Sequence, residues 1–320
     1  MKKLTLLFLL LIVVFAILLS LTLRQPATPL SASEIVRYSP SAIPAQPVDR
    51  ADRFDFIVYG DTRNGHATHR TLIDHMLALN PDLVLSTGDL VSQGRRNHEW
   101  DTFLEIIKPL AQKVPYYTIR GNHDKGRNNY EKRFAPPNNS GTDRYYSFDY
   151  KSVHFIGLDT NQRGLNASKQ RDWLVQDLVA TDKPHIIAFF HHPPFGVTKG
   201  RGDNERIKKA FHDLFVKHGV NLVTVGHNHL YYRTQRNGVT YITTGGGGAP
   251  LHNVDGELPR LPDDVWGLYH HLVHITVTGE LMKGAVIDTE GKIRDSFTVI
   301  TRRHVRGKTT KQDAERANNG

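Results

Sequence analysis

Five short clusters of oxygen and nitrogen donors punctuate the chain: Gly60-Asp61, Gly88-Asp89, Gly121-Asn122-His123-Asp124, His191-His192-Pro193-Pro194 and Gly226-His227-Asn228-His229. Each follows an apolar run, respectively Phe54–Tyr59, Leu83–Thr87, Tyr116–Ile119, His185–Phe190 and Val220–Val225. Those runs read as buried β-strands, so every cluster falls at a strand's C-terminal end. In open α/β sheets that edge binds ligands. A single Gly-Asp or Gly-Asn step is ordinary turn chemistry. Five donor clusters at successive strand ends are not explained by turns or by core packing.

The residue types suit a pair of divalent cations roughly 3.5–4 Å apart, which can activate water and clamp a phosphoryl group. Such a pair needs a bridging carboxylate, imidazoles, and a neutral oxygen donor that leaves net positive charge for an anionic substrate. Asp61 and Asp89 supply carboxylates, Asn122 an amide oxygen, and His191, His227 and His229 imidazoles. An extended backbone at His227-x-His229 sends both rings to one side, so one segment reaches both ions. Strand alternation puts His191 and His192 on opposite sides, which makes one of the two a ligand. Asp124 either hydrogen-bonds a ligand or orients its loop.

Gly-Asn-His-Asp and Gly-His-Asn-His, in this order and after strands, resemble the calcineurin-like metallophosphoesterase superfamily, which includes purple acid phosphatases and many bacterial phosphodiesterases. The resemblance runs from about Phe54 to about Gly248. It takes in Tyr145-Tyr146-Ser147-Phe148-Asp149, Leu158-Asp159-Thr160, and Gln170 with Trp173-Leu174. It implies hydrolysis of a phosphate mono- or diester by a metal-bound hydroxide at a binuclear centre of two divalent ions, Mn, Fe or Zn. It also implies that Asp61, Asp89 and His229 hold one ion, and that Asp89, Asn122, His191 and His227 hold the other, with Asp89 as the bridge. The family's ligand lies two residues before the proline, which selects His191 over His192. His123 is implied to lie beside the scissile phosphate, steadying it or protonating the leaving oxygen.

Two positions depart from the family. Many members carry Asp-x-His in the first motif, where this chain has Asp61-Thr62-Arg63. Arginine stays protonated and cannot ligate a metal. Purple acid phosphatases place a metal-binding Tyr three residues after the second-motif Asp, and Ser/Thr phosphatases place there an Asp that pairs with the catalytic His. Here the residue is Ser92. The expectation is a leaner first site, filled by water or by a nearby His such as His66, or occupied only weakly, with no coloured Fe(III) centre. Arg63 either grips a substrate oxygen through its planar fork or pairs with a metal-ligating Asp.

Clusters at alternating strands and helices need a fold that presents strand ends together. Helical spacing over Ala67–Leu79, His98–Ala111, Ser168–Val179 (with Ser168 as N-cap) and Asp203–His218 alternates with the strands. Hairpins follow: Arg144–Tyr150 with Val153–Leu158, then Tyr231–Gln235 with Val239–Thr243 about an Asn237-Gly238 turn. Leu272–Thr278, Leu281–Asp288 and Ile293–Ile300 read as three antiparallel strands. Gly126–Asp143 reads as a loop over the site, and Leu251–Trp266 as an irregular insertion. The four glycines 245–248 permit close backbone approach. The fold class is α/β of the α+β type: a four-layer αββα sandwich, two mixed sheets flanked by helices. The chain divides into a membrane anchor or signal segment (1–24), a Pro-rich linker (25–52), the metallophosphoesterase domain (53–300) and a basic disordered tail (301–320).

Composition narrows the function. The 320 residues include no cysteine, which excludes disulfides, Cys-ligated zinc and a cysteine nucleophile. Of the formal net charge of +9, three units come from Lys2, Lys3 and Arg24 and four from the tail after Thr301, leaving +2 over residues 34–300. A nearly balanced body has no basic stripe, so no nucleic-acid partner is expected and a nuclease is the weaker reading. The substrate expected is a small phosphate ester. Leu4–Leu23 is about long enough to span a bilayer and follows positive residues. It reads as a single-pass anchor in the cytoplasmic membrane with the catalytic domain outside, or as a cleaved signal giving a secreted or periplasmic protein. The rival of another class is a non-catalytic metal-binding or protein-interaction module on the same scaffold.

Overall fold

Phe54, Phe56 and Val58 alternate with Ile57 and Tyr59, and all five are at most 1% exposed. A strand buried on both faces must have a layer on each side. A computed structural model, which describes residues 53–254 and 261–301, shows those layers. In chain order the elements are β1 (Arg53–Tyr59), α1 (His66–Leu79), β2 (Leu83–Ser86), α2 (Asn97–Ala111), β3 (Tyr116–Thr118), α3 (Asn129–Arg133), β4 (Tyr146–Tyr150), β5 (Val153–Gly157), α4 (Gly164–Ala180), β6 (His185–Phe190), α5 (Glu205–Lys217), β7 (Leu222–Val225), β8 (Tyr231–Arg236), β9 (Val239–Thr244), β10 (Val265–Gly267), β11 (His271–Thr278), β12 (Leu281–Asp288) and β13 (Ile293–Ile300).

One sheet runs β13-β12-β11-β1-β2-β3, the other β10-β8-β9-β7-β6-β5-β4. Both are mixed. β1, β2 and β3 are parallel while β11 joins β1 antiparallel. β5, β6, β7 and β9 are parallel, with antiparallel β4 and β8 beside them. Phe56, Val58, Leu85, Phe155, Ile187, Phe189 and Ile242 meet between the sheets in one core. The opposite faces carry helices. Ile57, Tyr59 and Val84 pack against Leu72 and Met76 of α1 and Trp100 and Phe103 of α2. Ile186, Ala188 and Phe190 pack against Leu174 of α4 and Phe211 and Phe215 of α5. This is the expected two-sheet sandwich with flanking helices, and it brings the C-terminal ends of β1, β2, β3, β6 and β7 to one edge.

Local expectations were met unevenly. Asn237 and Gly238 have φ of 49° and 76°, as a two-residue hairpin turn with two left-handed positions requires. Asn204 caps α5 by accepting from Ile207 N–H at 3.2 Å. Ser168, by contrast, is not a cap: α4 begins at Gly164, after an extended Arg163 with no capping side chain. The loop 126–143 contains the short helix α3, whose Tyr130 is buried against Trp100 and Phe134. The insertion 251–266 contributes Val265 and Trp266 to β10, which pairs with β8. The anchor, the linker up to residue 52 and the tail from residue 302 lie outside the described residues. Among the described residues, no helix is long and apolar enough to cross a membrane.

A charged clasp ties the edge of the second sheet to α4. His154 on β5 faces Asp149 with Nδ1 at 2.6 Å and Asp177 of α4 with Nε2 at 2.9 Å. Carboxylates only accept, so both nitrogens are satisfied when the ring is doubly protonated. Burial opposes that charge, but Asp177 and then Asp149 outweigh it and raise the His154 pKa above the ordinary imidazole value. A raised folded pKa gives stability that is complete below the unfolded value of about 6.5 and is lost as pH climbs through the folded value. The melting-temperature gap between the wild type and His154→Gln should therefore be widest near pH ~6 and shrink toward pH ~9. A gap constant across that range would show that the clasp carries no charge.

Candidate metal centre

The strand ends do not continue as strands. Asp61, Asp89 and His227 each adopt a left-handed backbone, with φ of 59°, 53° and 68°. Non-glycine residues are uncommon there and cluster at functional sites. The kinks turn the donors inward over the sheet edge, and crossing hydrogen bonds hold them. His227 N–H donates to Asp61 Oδ2 at 2.9 Å, and His123 N–H donates to Asp89 Oδ1 at 2.9 Å. Glycines let the segments touch: a Cβ on Gly226 would lie 2.4 Å from Asp61 Oδ2.

Asp124 does most of the fastening. Its Oδ2 accepts from Asp89 and Gly121 N–H at 2.9 and 2.8 Å, and its Oδ1 from Leu90 and Val91 N–H at 2.8 and 3.1 Å. Both readings left open by the sequence hold: Asp124 hydrogen-bonds the main chain of the expected ligand Asp89 and orients the loop that begins at Gly121. A fully buried carboxyl that accepts four main-chain N–H bonds locks the second and third clusters together, while burial and then the Asp89 charge push its pKa up to about 7.

One group of donors converges tightly. Asn122 Oδ1 lies 3.0 Å from His191 Nε2 and 2.9 Å from His227 Nδ1, those two nitrogens are 3.3 Å apart, and Asp89 Oδ1 is 3.3 Å from His191 Nε2. His191 Nδ1–H donates to Thr87 O at 2.9 Å, which fixes Nε2 as the lone-pair nitrogen of the neutral ring. Burial opposes charge on His191, but Asp89 outweighs burial and lifts it to about 9. Burial also opposes the Asp89 charge, and His191 and the His123 N–H overcome it and hold that carboxyl below its ordinary range. Burial, then His191, pushes His227 down to about 3. Lone pairs aimed at one point are the ligand set a divalent cation takes in place of protons.

A second group adjoins it. Asp61 Oδ1 is buried, has no hydrogen-bond partner, and lies 3.4 Å from His229 Nε2. An unpaired buried carboxylate oxygen is costly unless something positive meets it. His229 Nδ1–H donates to Pro250 O at 2.7 Å, so its Nε2 also offers a lone pair. Asp61, Asp89 and His191 can each bring one donor atom within 4.8 Å of the others. The donor set therefore fits divalent metal. The expected ligands Asp61, Asp89, Asn122, His191, His227 and His229 all reach this edge, with Arg63 and His123 beside them.

Two sequence expectations need correction. His227 is left-handed rather than extended, and the kink aims its ring at Asn122 while His229 turns to Asp61. His191 and His192 are not on opposite sides, because β6 ends at Phe190; the His192 ring lies 4.6 Å from that of His227. His192 Nδ1 is tied to Thr160 Oγ1 at 2.8 Å. The Asp that pairs with the catalytic His in Ser/Thr phosphatases is absent at Ser92, and the Ser92 main-chain carbonyl accepts from His123 Nδ1–H at 2.8 Å in its stead.

His252 was missed. Its ring stacks on His229 at 3.9 Å and 16°, and its Nδ1 accepts from His229 N–H at 3.1 Å. Burial, then His229, Arg201 and Arg63, lower it to about 4. The sequence offered only proximity to the glycines 245–248 as a signal. His66 is exposed at the start of α1, in a cleft with Ser92 and His98.

Residues 54–231 match the family model of the calcineurin-like phosphoesterases. The chain belongs to that family. Membership implies divalent metal ions. Purple acid phosphatase 18 of Arabidopsis thaliana is 31% identical over 216 residues, covering 60% of this chain and 49% of that protein. The chain spans about half the length of the curated relatives it matches. Purple acid phosphatase PPD1 from yellow lupin (Lupinus luteus) seeds shares the fold, with a TM-score of 0.69 and 20% identity over 78% of this chain and 54% of that one. So does GAP50, the anchor in the inner membrane complex of Plasmodium, at 0.65 and 14% over 79% and 90%.

Proposed function

We propose that this calcineurin-like phosphoesterase hydrolyses small phosphate mono- or diesters with divalent cations held by Asp61, Asp89, Asn122, His191, His227 and His229. The observation that carries the reading is the convergence of Asn122 Oδ1, His191 Nε2 and His227 Nδ1 on one another beside Asp89. Bound there, ions such as Mn, Fe or Zn supply Lewis acidity and a nucleophile from water near neutral pH. Asp61, Asp89 and His229 would hold one ion, and Asp89, Asn122, His191 and His227 would hold a second. The protein holds these ligands rigid through Asp124 and through the carbonyls of Thr87 and Pro250, so little reorganisation is left for the reaction.

His123 is the proposed acid. The Ser92 carbonyl accepts from its Nδ1–H, so Nε2 is the nitrogen left to address a substrate. A protonated Nε2 there can pass its proton to the leaving oxygen as the P–O bond breaks. Arg63 adds fixed positive charge for the phosphoryl oxygens. The apolar run Leu4–Leu23 supports placing the body outside the cytoplasmic membrane, anchored or released.

Turnover of p-nitrophenyl phosphate and its bis-ester, after chelation and reloading with Mn, Zn or Fe, tests the reading. Complete inactivity of metal-replete protein on both would favour a binding module on this scaffold. His123→Ala should lower turnover by about a hundredfold or more while metal content stays at the wild-type level. A variant as fast as the wild type would remove His123 from the chemistry.

A further inference from the structure

We infer that Arg63 competes with the first cation for its ligands, so that the chain takes one divalent ion tightly and a second only weakly. This rests on the phosphoesterase reading of the site and sharpens its metal content. Arg63 Nη2 lies 3.4 Å from His229 Nε2, and Arg63 Nε lies 3.5 Å from Asp89 Oδ2. His229 Nδ1–H is committed to the Pro250 carbonyl, so its Nε2 is an acceptor and the guanidinium is the donor. The two atoms Arg63 addresses are the ones that, with Asp61 Oδ1, would complete the first ion's shell. Among the described residues, no arginine or lysine hydrogen-bonds the side chains of Asn122, His191 or His227.

The charge balance points the same way. The donors of both sites include only two carboxylates, Asp61 and Asp89, and both are at most 1% exposed. One dication with Arg63 leaves a single positive charge over that set, whereas two dications with Arg63 leave three. Uncompensated charge is expensive in a buried site. Arg63 is only 17% exposed in its side chain, so solvent screens it poorly. A guanidinium also cannot shed its proton to make room, unlike the imidazole that stands at this position in many relatives. It leaves only by swinging out, which costs its contacts to Asp89 and His229.

Calorimetric titration of the chelated full chain with Zn²⁺, followed by metal analysis after gel filtration, reads the prediction without any assay of turnover. The wild type should retain one ion per chain and bind the second at least about tenfold more weakly. Arg63→Gln, which removes the charge at similar length, should tighten the second site at least about tenfold. Arg63→His, which restores an imidazole, should retain two ions through the column. Arg63→Lys keeps the charge and should stay at one. Circular dichroism confirms that each variant is folded. Two equally tight ions in the wild type, or an Arg63→Gln variant with wild-type stoichiometry, would overturn the inference. If the wild type holds two tight ions and turns over esters, only the competition by Arg63 falls. If it binds no Zn²⁺, the phosphoesterase reading falls with it.

Discussion

Asp89→Asn should reduce phosphoester turnover at least about a thousandfold, the factor that ~4 kcal/mol of lost transition-state stabilisation produces. The change is nearly isosteric, so the effect isolates charge. Asp89 stands between the two donor groups: its Oδ1 is 3.3 Å from His191 Nε2, and its Oδ2 is 3.5 Å from Arg63 Nε. An amide offers one acceptor oxygen where the carboxylate offers two, and it carries no charge to offset two cations. Its NH₂ must also point either at Arg63 or at the His123 N–H, both donors. Metal analysis should therefore show less than the wild-type content, and thermal stability should fall as well, because the Arg63 charge loses its buried counterion. Activity that survives with full metal content would show that no bridging carboxylate is needed, and with it the two-group geometry would lose its role.

Much of this arrangement was legible because its signals are short-range. Apolar runs such as His185–Phe190 admit little but a strand buried on both faces, and the observed β6 has those limits. The polar clusters after them carry chemistry that a core cannot absorb, and the structure gathers them at one edge. Failures came where the answer depends on dihedral angles or distant partners. Histidine is enriched among non-glycine residues in the left-handed region but still adopts it uncommonly, so the turn at His227 cannot be read from the residue type alone. It is held by Asp61, 166 positions away. His252 owes its place to hydrogen bonds with His229, made across an insertion whose residues look like any polar loop. The orientation of His123 depends on a main-chain carbonyl, and no side-chain identity at position 92 could announce it. Ser168 has the composition of a cap, but α4 starts a full turn earlier.

The glycines are a sharper case, because turn chemistry and close approach predict different outcomes. If Gly121 were present only to make a turn before Asn122, alanine would be tolerated there, since its backbone is not left-handed. The geometry says otherwise. A Cβ on residue 121 would lie 2.1 Å from Asp89 Oδ1 and 2.2 Å from the Asp89 main-chain nitrogen. The second obstacle is backbone and cannot rotate away. The same nitrogen is fastened to Asp124, whose Oδ2 also takes the Gly121 N–H. Gly121→Ala must therefore force the second and third clusters apart at the point where Asp89 and Asn122 meet. Overpacking of this kind costs about 1–3 kcal/mol of stability. A displacement of a single ångström in the ligands can cost about a hundredfold in rate. The expected variant is folded, melts lower, holds less metal and turns over esters at least about a hundredfold more slowly. Wild-type metal content and turnover in Gly121→Ala would mean that the two strand ends can separate freely, and that the contact between them does not set the geometry of the centre.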